Sequence, residues 1–477
     1  MLKTCNKNRL FLFFFFITLN SVLHAQSLNV EFNSLAGSKS QLPFWLWANQ
    51  LGRYDQNNSS VQHLGLSAYN KFQINSPLSI ETGTDVDFLV DNSTTLRITQ
   101  LYGKVNWKSA SLQIGLFPDK ELYGGLSTTN GNLSASRNSR PHPRIRLGIN
   151  RFIPLFFDWF AIRVFYEEGL LNDNHRYVKD THLHRKAFFL RFGKPSGLQV
   201  IAGGEHFVMW GGTHPVYGKL QGWKEYFQYV TGQAGDEGSL QTDQLNVLGN
   251  GYGTYQLEVN KTWNKFKMAL YISHPFDDRS GMELENYKDN LIGLFFENRK
   301  ENSFLQNIVI EYFHTKNQSG KYHLSEAPEG EKHRRGRDDY FNHGIYKSGV
   351  TYHKMAMCSP LFAPVTTTSN GLCSGFESTR FAGFHAGAKG YINNKLQWQG
   401  MFTYSNNFGK YNSKGITSYN PSRKLLATMA QVKYTPAKIP LSIALSLAVD
   451  HGSLFDQGKS TTRTGGMISI KYQILNK

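Results

Sequence analysis

The stretch covering residues 253–313 constrains this chain most, because it reads as four strands joined unevenly. Tyr255, Leu257 and Val259 alternate with Gln256, Glu258 and Asn260. After a tight turn at Thr262-Trp263-Asn264, Phe266, Met268, Leu270 and Ile272 alternate with Lys267, Ala269, Tyr271 and Ser273. A long polar loop leads to a strand over residues 291–297, and a short charged turn, residues 299–302, returns the chain into residues 303–313. Successive side chains of a strand point to opposite faces, so each of these strands has one apolar and one polar face. A soluble antiparallel sandwich alternates in the same way. Short turn, long loop, short turn is the rhythm of an outer-membrane barrel, whose apolar residues face lipid, whose polar residues face a wet lumen, and whose closure leaves no unpaired edge in hydrocarbon.

The remainder of the chain favours the barrel. No apolar run past the N-terminus is long enough for a spanning helix; the best, residues 152–165, is broken by Pro154, Asp158 and Arg163. Aromatics make up 14% of the 477 residues, more than soluble domains usually need, whereas barrels use aromatic girdles at both interfaces. Alternation starts at Gln62, after a polar, patternless segment over residues 26–41. It is clear in residues 80–90, where Glu81, Asp85 and Asp87 share one face. It returns at the C-terminus, where Ile468, Ile470, Tyr472 and Ile474 oppose Ser469, Lys471 and Gln473. With strands of about ten residues, the chain accommodates a transmembrane antiparallel β-barrel of about eighteen strands. Residues 118–154 are too long for a simple connection and are expected to be functional or folded inward.

Residues 1–25 read as an export signal: Lys3, Lys7 and Arg9, an apolar core over residues 10–19, and cleavage after Ala25. Residues 26–477 form a single barrel domain with an N-terminal periplasmic or plug segment. Loss of the three basic residues lowers the formal charge from +17 to +14, and a basic exported protein attracts acidic partners. Cys358 and Cys373 fall in one Pro/Thr/Ser/Gly-rich loop outside the reducing cytoplasm, and a disulfide between them is expected.

Catalytic signals are weak. The cluster GNGYG (residues 249–253) has no following helix to cradle a phosphate, and GLCSG (residues 371–375) follows a polar stretch, not the buried strand of a nucleophile elbow. His182 and His184 share a strand face but lack a third ligand. The acidic neighbours Glu167-Glu168, Asp277-Asp278 and Asp338-Asp339 point to opposite faces on a strand, so none forms a glycosidase dyad alone. No enzyme activity, cofactor, metal or nucleic-acid partner is expected. What remains suits an acidic glycan: Arg137, Asn138, Arg140, Arg144 and Arg146 on backbone stiffened by Pro141 and Pro143, with His206 and Trp210 nearby. Arginine grips carboxylate or phosphate bidentately. The plainer alternative makes the tryptophans girdle anchors and the arginines counter-charges for luminal acids.

The stretches PFWLWANQLGRY (residues 43–54), NSRPHPRIRLG (138–148), KAFFLRFG (186–193), YFNHGIYKSG (340–349), YSNNFGKY (404–411) and DHGSLF (450–455) stand in the order found in the Wzi-type capsule-assembly family, in its Bacteroidetes-like form, which this chain resembles over nearly all of its mature length. His142 replaces the apolar residue that family members carry between the two prolines. The resemblance implies an eighteen-stranded outer-membrane barrel obstructed by plug loops or short helices. It also implies a lectin-like, non-catalytic role in attaching capsular or exopolysaccharide to the cell surface. A monomer among outer-membrane lipids is the expected form, and a diffusion porin for anionic sugars is the alternative function.

Overall fold

The computed structural model describes residues 25–149, 151–233, 248–323 and 336–476. The expected export signal before Ala25 lies outside them, as do residues 234–247 and 324–335 of the expected loops.

Eighteen antiparallel strands close into one barrel. Closure is made by Ser27–Gly37, which pairs with Ser60–Asn75 on one side and Thr461–Asn476 on the other. Residues 26–41 are therefore not a patternless plug segment. Leu28, Val30 and Phe32 alternate with Asn29, Glu31 and Asn33, the same two-faced pattern in a short strand. One wall position is built from two segments, Pro143–Ile149 and Ile153–Phe157, both paired with Phe160–Leu171. Pro154 lies inside the second segment, opposite Ala161, where it has no N–H to give a ladder. The inward loop expected over residues 118–154 thus ends at residue 142, and Arg144 and Arg146 belong to the wall. The stretch that opened the sequence reading forms the strands Asn250–Thr262, Phe266–Phe276, Asn290–Asn298 and Asn307–His314, paired in that order.

Short turns gather at the end that holds both termini of the barrel, long loops at the other, the end that faces outside the cell in barrels of this class. The outer face is apolar: Leu96, Ile98, Leu147, Leu270, Leu447 and Ile468 are all exposed. At the short-turn end, stacked or tilted aromatic pairs ring the wall, among them Phe157–Trp159, Trp263–Phe266 and Phe304–Trp398. Trp107, Trp159, Trp263 and Trp398 are the girdle anchors of the plainer reading.

The lumen is not a wet channel lined by free carboxylates. Three loops, residues 38–59 with the helical turn Phe44–Trp47, residues 117–142 and the described parts of the third, residues 315–323 and 336–379, fold into it and share an apolar core that includes Phe44, Trp45, Leu126, Leu133, Phe341 and Phe362. Wall carboxylates hold this plug, because a buried charge is tolerable only when its lone pairs are occupied. Glu311 accepts from Ser127 Oγ (2.5 Å), Thr128 N (3.0 Å), Thr128 Oγ1 (2.7 Å) and Tyr271 Oη (2.8 Å). Asp450 accepts from the backbone N–H of Phe44 at 2.6 Å. Asp289 accepts from Tyr340 Oη and Gln318 N, both at 2.7 Å. Residues 315–319 are pulled inward by these bonds; Thr315 and Gln318 are buried.

Cys358 and Cys373 are buried, free thiols, so the expected disulfide is not formed. Cys373 Sγ lies 3.3 Å from Thr351 Oγ1, in a short hairpin, while Cys358 faces the 117–142 loop, its carbonyl accepting from Ser136 Oγ at 2.6 Å. Sequence proximity within one loop did not bring the two side chains together, because each half of the loop packs on a different neighbour.

Candidate functional site

The arginines singled out in the sequence separate into two groups. Arg144 and Arg146 are counter-charges. Arg144 Nη1 donates to Glu167 Oε1 (3.1 Å); Arg146 donates to Glu167 Oε2 and Asp119 Oδ1, both at 2.6 Å. Arg185 joins them, donating to Asp119 Oδ2 and Glu205 Oε2, each at 2.6 Å. Three guanidiniums thus meet three carboxylates, and the Phe117 ring fills the space beneath Arg144. Arg137 donates to the carbonyl of Asp119 at 2.5 Å and lies 3.8 Å from Glu121. Asn138 is buried and donates to Ala356 O at 3.0 Å. Each of these side chains already has a partner within the protein.

Trp210 and His206 are not near the arginines. On the strand Leu198–Trp210, Glu205, Phe207 and Met209 face the plug, so His206, Val208 and Trp210 face outward. The following connection folds back over the outer wall. Its helix Tyr226–Thr231 buries Trp210 against Tyr229 and Leu248, and Tyr226 bonds to Glu168. His206 stacks on Phe276 and lines a recess of about 2150 Å³ beneath the long loops. Asp277, Asp278 and Asp338 line that recess together with Lys186, Arg279, Lys347 and Lys410, so it carries both signs.

Arg140 differs from its neighbours. It lies at the long-loop end of the plug with no ion-pair or hydrogen-bond partner for its guanidinium among the described residues, and its Nε is buried and unbonded. Arg97, on the wall strand Thr94–Trp107, faces the same space. One of its nitrogens donates to the carbonyl of Arg53 at 3.1 Å, and its Nε is also unbonded. Burial first and the charge of Arg97 second hold the Arg140 guanidinium down to about 10, which leaves it charged at neutral pH. His353, in the hairpin turn beyond Tyr352, completes the group. Burial and the nearby Arg140 depress its imidazole to about 4, so it is neutral at pH 7. The nearby carboxylates are already engaged: Asp173 by Arg176 at 2.9 Å, and Asp87, which lies across from Arg97 in strand register, by His63 at 2.7 Å and Arg53 at 3.2 Å. Two guanidiniums without an ion pair among the described residues, beside a neutral imidazole, can grip a uronate or phosphate bidentately.

Two stretches of the sequence meet to place Arg140. Asn49 N donates to Asn138 Oδ1 (3.1 Å), and Leu51 N to Arg137 O (3.0 Å). Gly52, at φ +64°, lies against Arg140; a Cβ there would come within 2.7 Å of the Arg140 backbone nitrogen. His142 is buried and held to about 3 by burial and then by Arg144, so it occupies its apolar position as a neutral ring. Arg97 and His353 were missed in the sequence. Arg97 had a signal, a lone charge between the lipid-facing Leu96 and Ile98, which turns it inward. His353 had none, since only the fold of the 315–379 loop brings it to the mouth.

No family model matches the chain, and no curated protein matches it in sequence. Among solved structures the chain is similar to Wzi of Escherichia coli, an outer-membrane protein involved in group 1 capsule assembly and a carbohydrate-binding β-barrel. The TM-score is 0.58 and the identity 13%, over 96% of this chain and 87% of that one. OprD of Pseudomonas aeruginosa matches at a TM-score of 0.45 and 11% identity, over 94% of this chain and 95% of that one. OccD3 of the same organism gives 0.45 and 10%, over 94% and 91%. At these identities the likeness is one of architecture: the chain has the fold of an outer-membrane β-barrel.

Proposed function

We propose that this protein resides in the outer membrane as a single, non-catalytic, Wzi-type barrel that holds an acidic exported polysaccharide at the cell surface. One observation carries the reading. Arg97 and Arg140 stand at the long-loop mouth without an ion pair among the described residues, whereas Arg53, Arg144, Arg146, Arg176 and Arg185 are each paired. Leaving two guanidiniums partly desolvated and without an ion pair is costly, and an anionic ligand offsets that cost. The fold shared with a carbohydrate-binding barrel supports the same reading.

The other reading, a diffusion porin for anionic sugars, needs a connected wet path. The packed plug core and its bonds to Glu311, Asp450 and Asp289 weigh against one. The test is made in cells that produce the polysaccharide. Arg97→Gln with Arg140→Gln releases polymer into the medium while total polymer and the amount of heat-modifiable barrel stay constant. Normal surface retention in the double variant would remove the site from consideration. Large ion conductance of the purified wild-type barrel in a planar bilayer would favour the porin.

A further inference from the structure

The outer wall carries a second basic site, separate from the mouth. The strands Leu396–Gly409, Arg423–Tyr434, Leu441–Gly452 and Thr461–Asn476 are neighbours, and their register sets Tyr404, Leu426, His451 and Thr462 in one transverse row. Leu425, Ala427 and Asp450 are buried on the luminal side, so Lys424, Leu426 and His451 face outward. Above this row, the loops following Gly409 and Gly452 rise to form a groove of about 550 Å³. It is lined by Tyr404, Tyr419, Arg423, Lys424, Leu426 and His451, with hydroxyl and amide groups from both loops.

Its charge is one-sided. No carboxylate lines the groove. Of the nearest acids, Asp456 is engaged by Arg463 at 2.5 Å and Glu377 by the groove's own Arg423 at 3.1 Å, which leaves Lys424 as the unpaired charge. The Arg423 guanidinium is held 3.8 Å from the centre of the Tyr419 ring, and Lys424 has no ion-pair partner among the described residues. Below the row the wall becomes mainly apolar, through the exposed Phe402, Val449 and Leu447, with Thr428 and Thr464 between them. The groove therefore straddles the boundary between the lipid-facing band and the polar loops.

We infer that this groove binds the phosphorylated headgroup of an outer-leaflet lipid, with phosphate oxygens on Lys424 and Arg423 and acyl chains along Phe402, Val449 and Leu447. A cation at the edge of an apolar surface suits a ligand that is anionic at one end and hydrocarbon at the other. A soluble acidic polysaccharide would use only the upper half of the groove. Because Arg423 also answers Glu377, Lys424 carries the specificity and Arg423 the reinforcement. The site does not depend on the polysaccharide reading, since it faces the opposite side of the wall from Arg97 and Arg140.

The test uses the full barrel purified in detergent and loaded with a phosphorylated glycolipid or with the same glycolipid after dephosphorylation, the bound lipid being counted by native mass spectrometry. Wild-type barrel retains the phosphorylated lipid and loses the dephosphorylated one on delipidation. Lys424→Gln weakens retention by roughly tenfold, the scale of one charge-assisted contact, and Lys424→Arg restores it. Lys424 is exposed and unpaired, so its variants keep the gel shift of the folded barrel, and Arg423→Gln is added only after that shift is confirmed. Equal retention by wild type and Lys424→Gln would overturn the inference. Displacement of the lipid by millimolar inorganic phosphate would reduce the groove to an anion site. Displacement by soluble acidic polysaccharide would assign it to the polymer instead.

Discussion

Arg185 of the barrel wall donates to Asp119 of the plug at 2.6 Å, and the same guanidinium reaches Glu205 of the adjacent strand at 2.6 Å. This bond ties an inward loop to two neighbouring strands. It also places Asp119 among Arg144, Arg146 and Arg185, so that removal of this one carboxylate leaves three guanidiniums facing two acids.

Asp119→Asn is predicted to loosen the plug. Breaking a buried ion pair from one side costs about 3–5 kcal/mol; the Asp119 side chain is 23% exposed, which puts the expectation at the lower end. Urea unfolding of the barrel in lipid should show a lowered midpoint, and single-channel recordings should show conductance absent from wild type. An unchanged midpoint would show that the network contributes no net stability.

Acid should act late on this network. Burial raises the Asp119 carboxyl, but Arg185, Arg146 and Arg144 outweigh it and hold the group well below the usual carboxylate range. A carboxylate lowered on folding contributes stability that is present above its unfolded value, about 4, and is lost as pH falls through the folded value. The Asp119 contribution should persist at pH 4 and fade only in stronger acid. His353 acts differently. It is kept neutral with a value of about 4, so protonation of the unfolded chain costs stability as pH falls from about 6.5 toward 4. His353→Gln should flatten the pH dependence of the unfolding midpoint in that window, while Asp119→Asn should leave the window intact.

Gly52→Ala is predicted to impair binding without opening the barrel. The added Cβ meets the Arg140 backbone at 2.7 Å, and φ +64° is disfavoured for alanine. The cost should be about 1 kcal/mol or more in stability, with a several-fold loss of affinity for acidic polysaccharide. Wild-type affinity in the alanine variant would show that the position of Arg140 does not matter.

Cys358 and Cys373 should both be alkylated after denaturation without reductant and neither in the native barrel. Burial raises the Cys358 thiol well above its ordinary value and keeps it inert. A peptide linking residues 358 and 373 in unreduced digests would contradict the structure.

Alternation read with barrel rhythm was enough to find the wall. The four strands around Leu270 and Ile310 lie where the sequence put them, and the strand that contains Ile468 does as well. Ser27–Gly37 escaped because only Leu28, Val30 and Phe32 mark its outer face, too few to stand out beside a polar leader. The plug was legible as overlong loops but not as structure, because its contacts join residues far apart: Phe44 to Asp450, Thr128 to Glu311, Trp47 to Phe455. The same distance hid the site. Arg144 and Arg146 look like Arg140 in the sequence, and only strand register shows that Glu167 faces the first two. The conspicuous stretches PFWLWANQLGRY, NSRPHPRIRLG and DHGSLF prove to be where plug meets plug and plug meets wall.

The most direct test is calorimetric titration of the purified wild-type barrel and the Arg97→Gln/Arg140→Gln variant with a uronate-bearing polysaccharide and with a neutral one of similar length. Wild type should bind the uronate polymer, the double variant should lose at least tenfold in affinity at about 1.5–3 kcal/mol per charge-assisted contact, and the neutral polymer should bind neither. Equal affinity of wild type and variant for the uronate polymer, with the barrel folded in both, would contradict it.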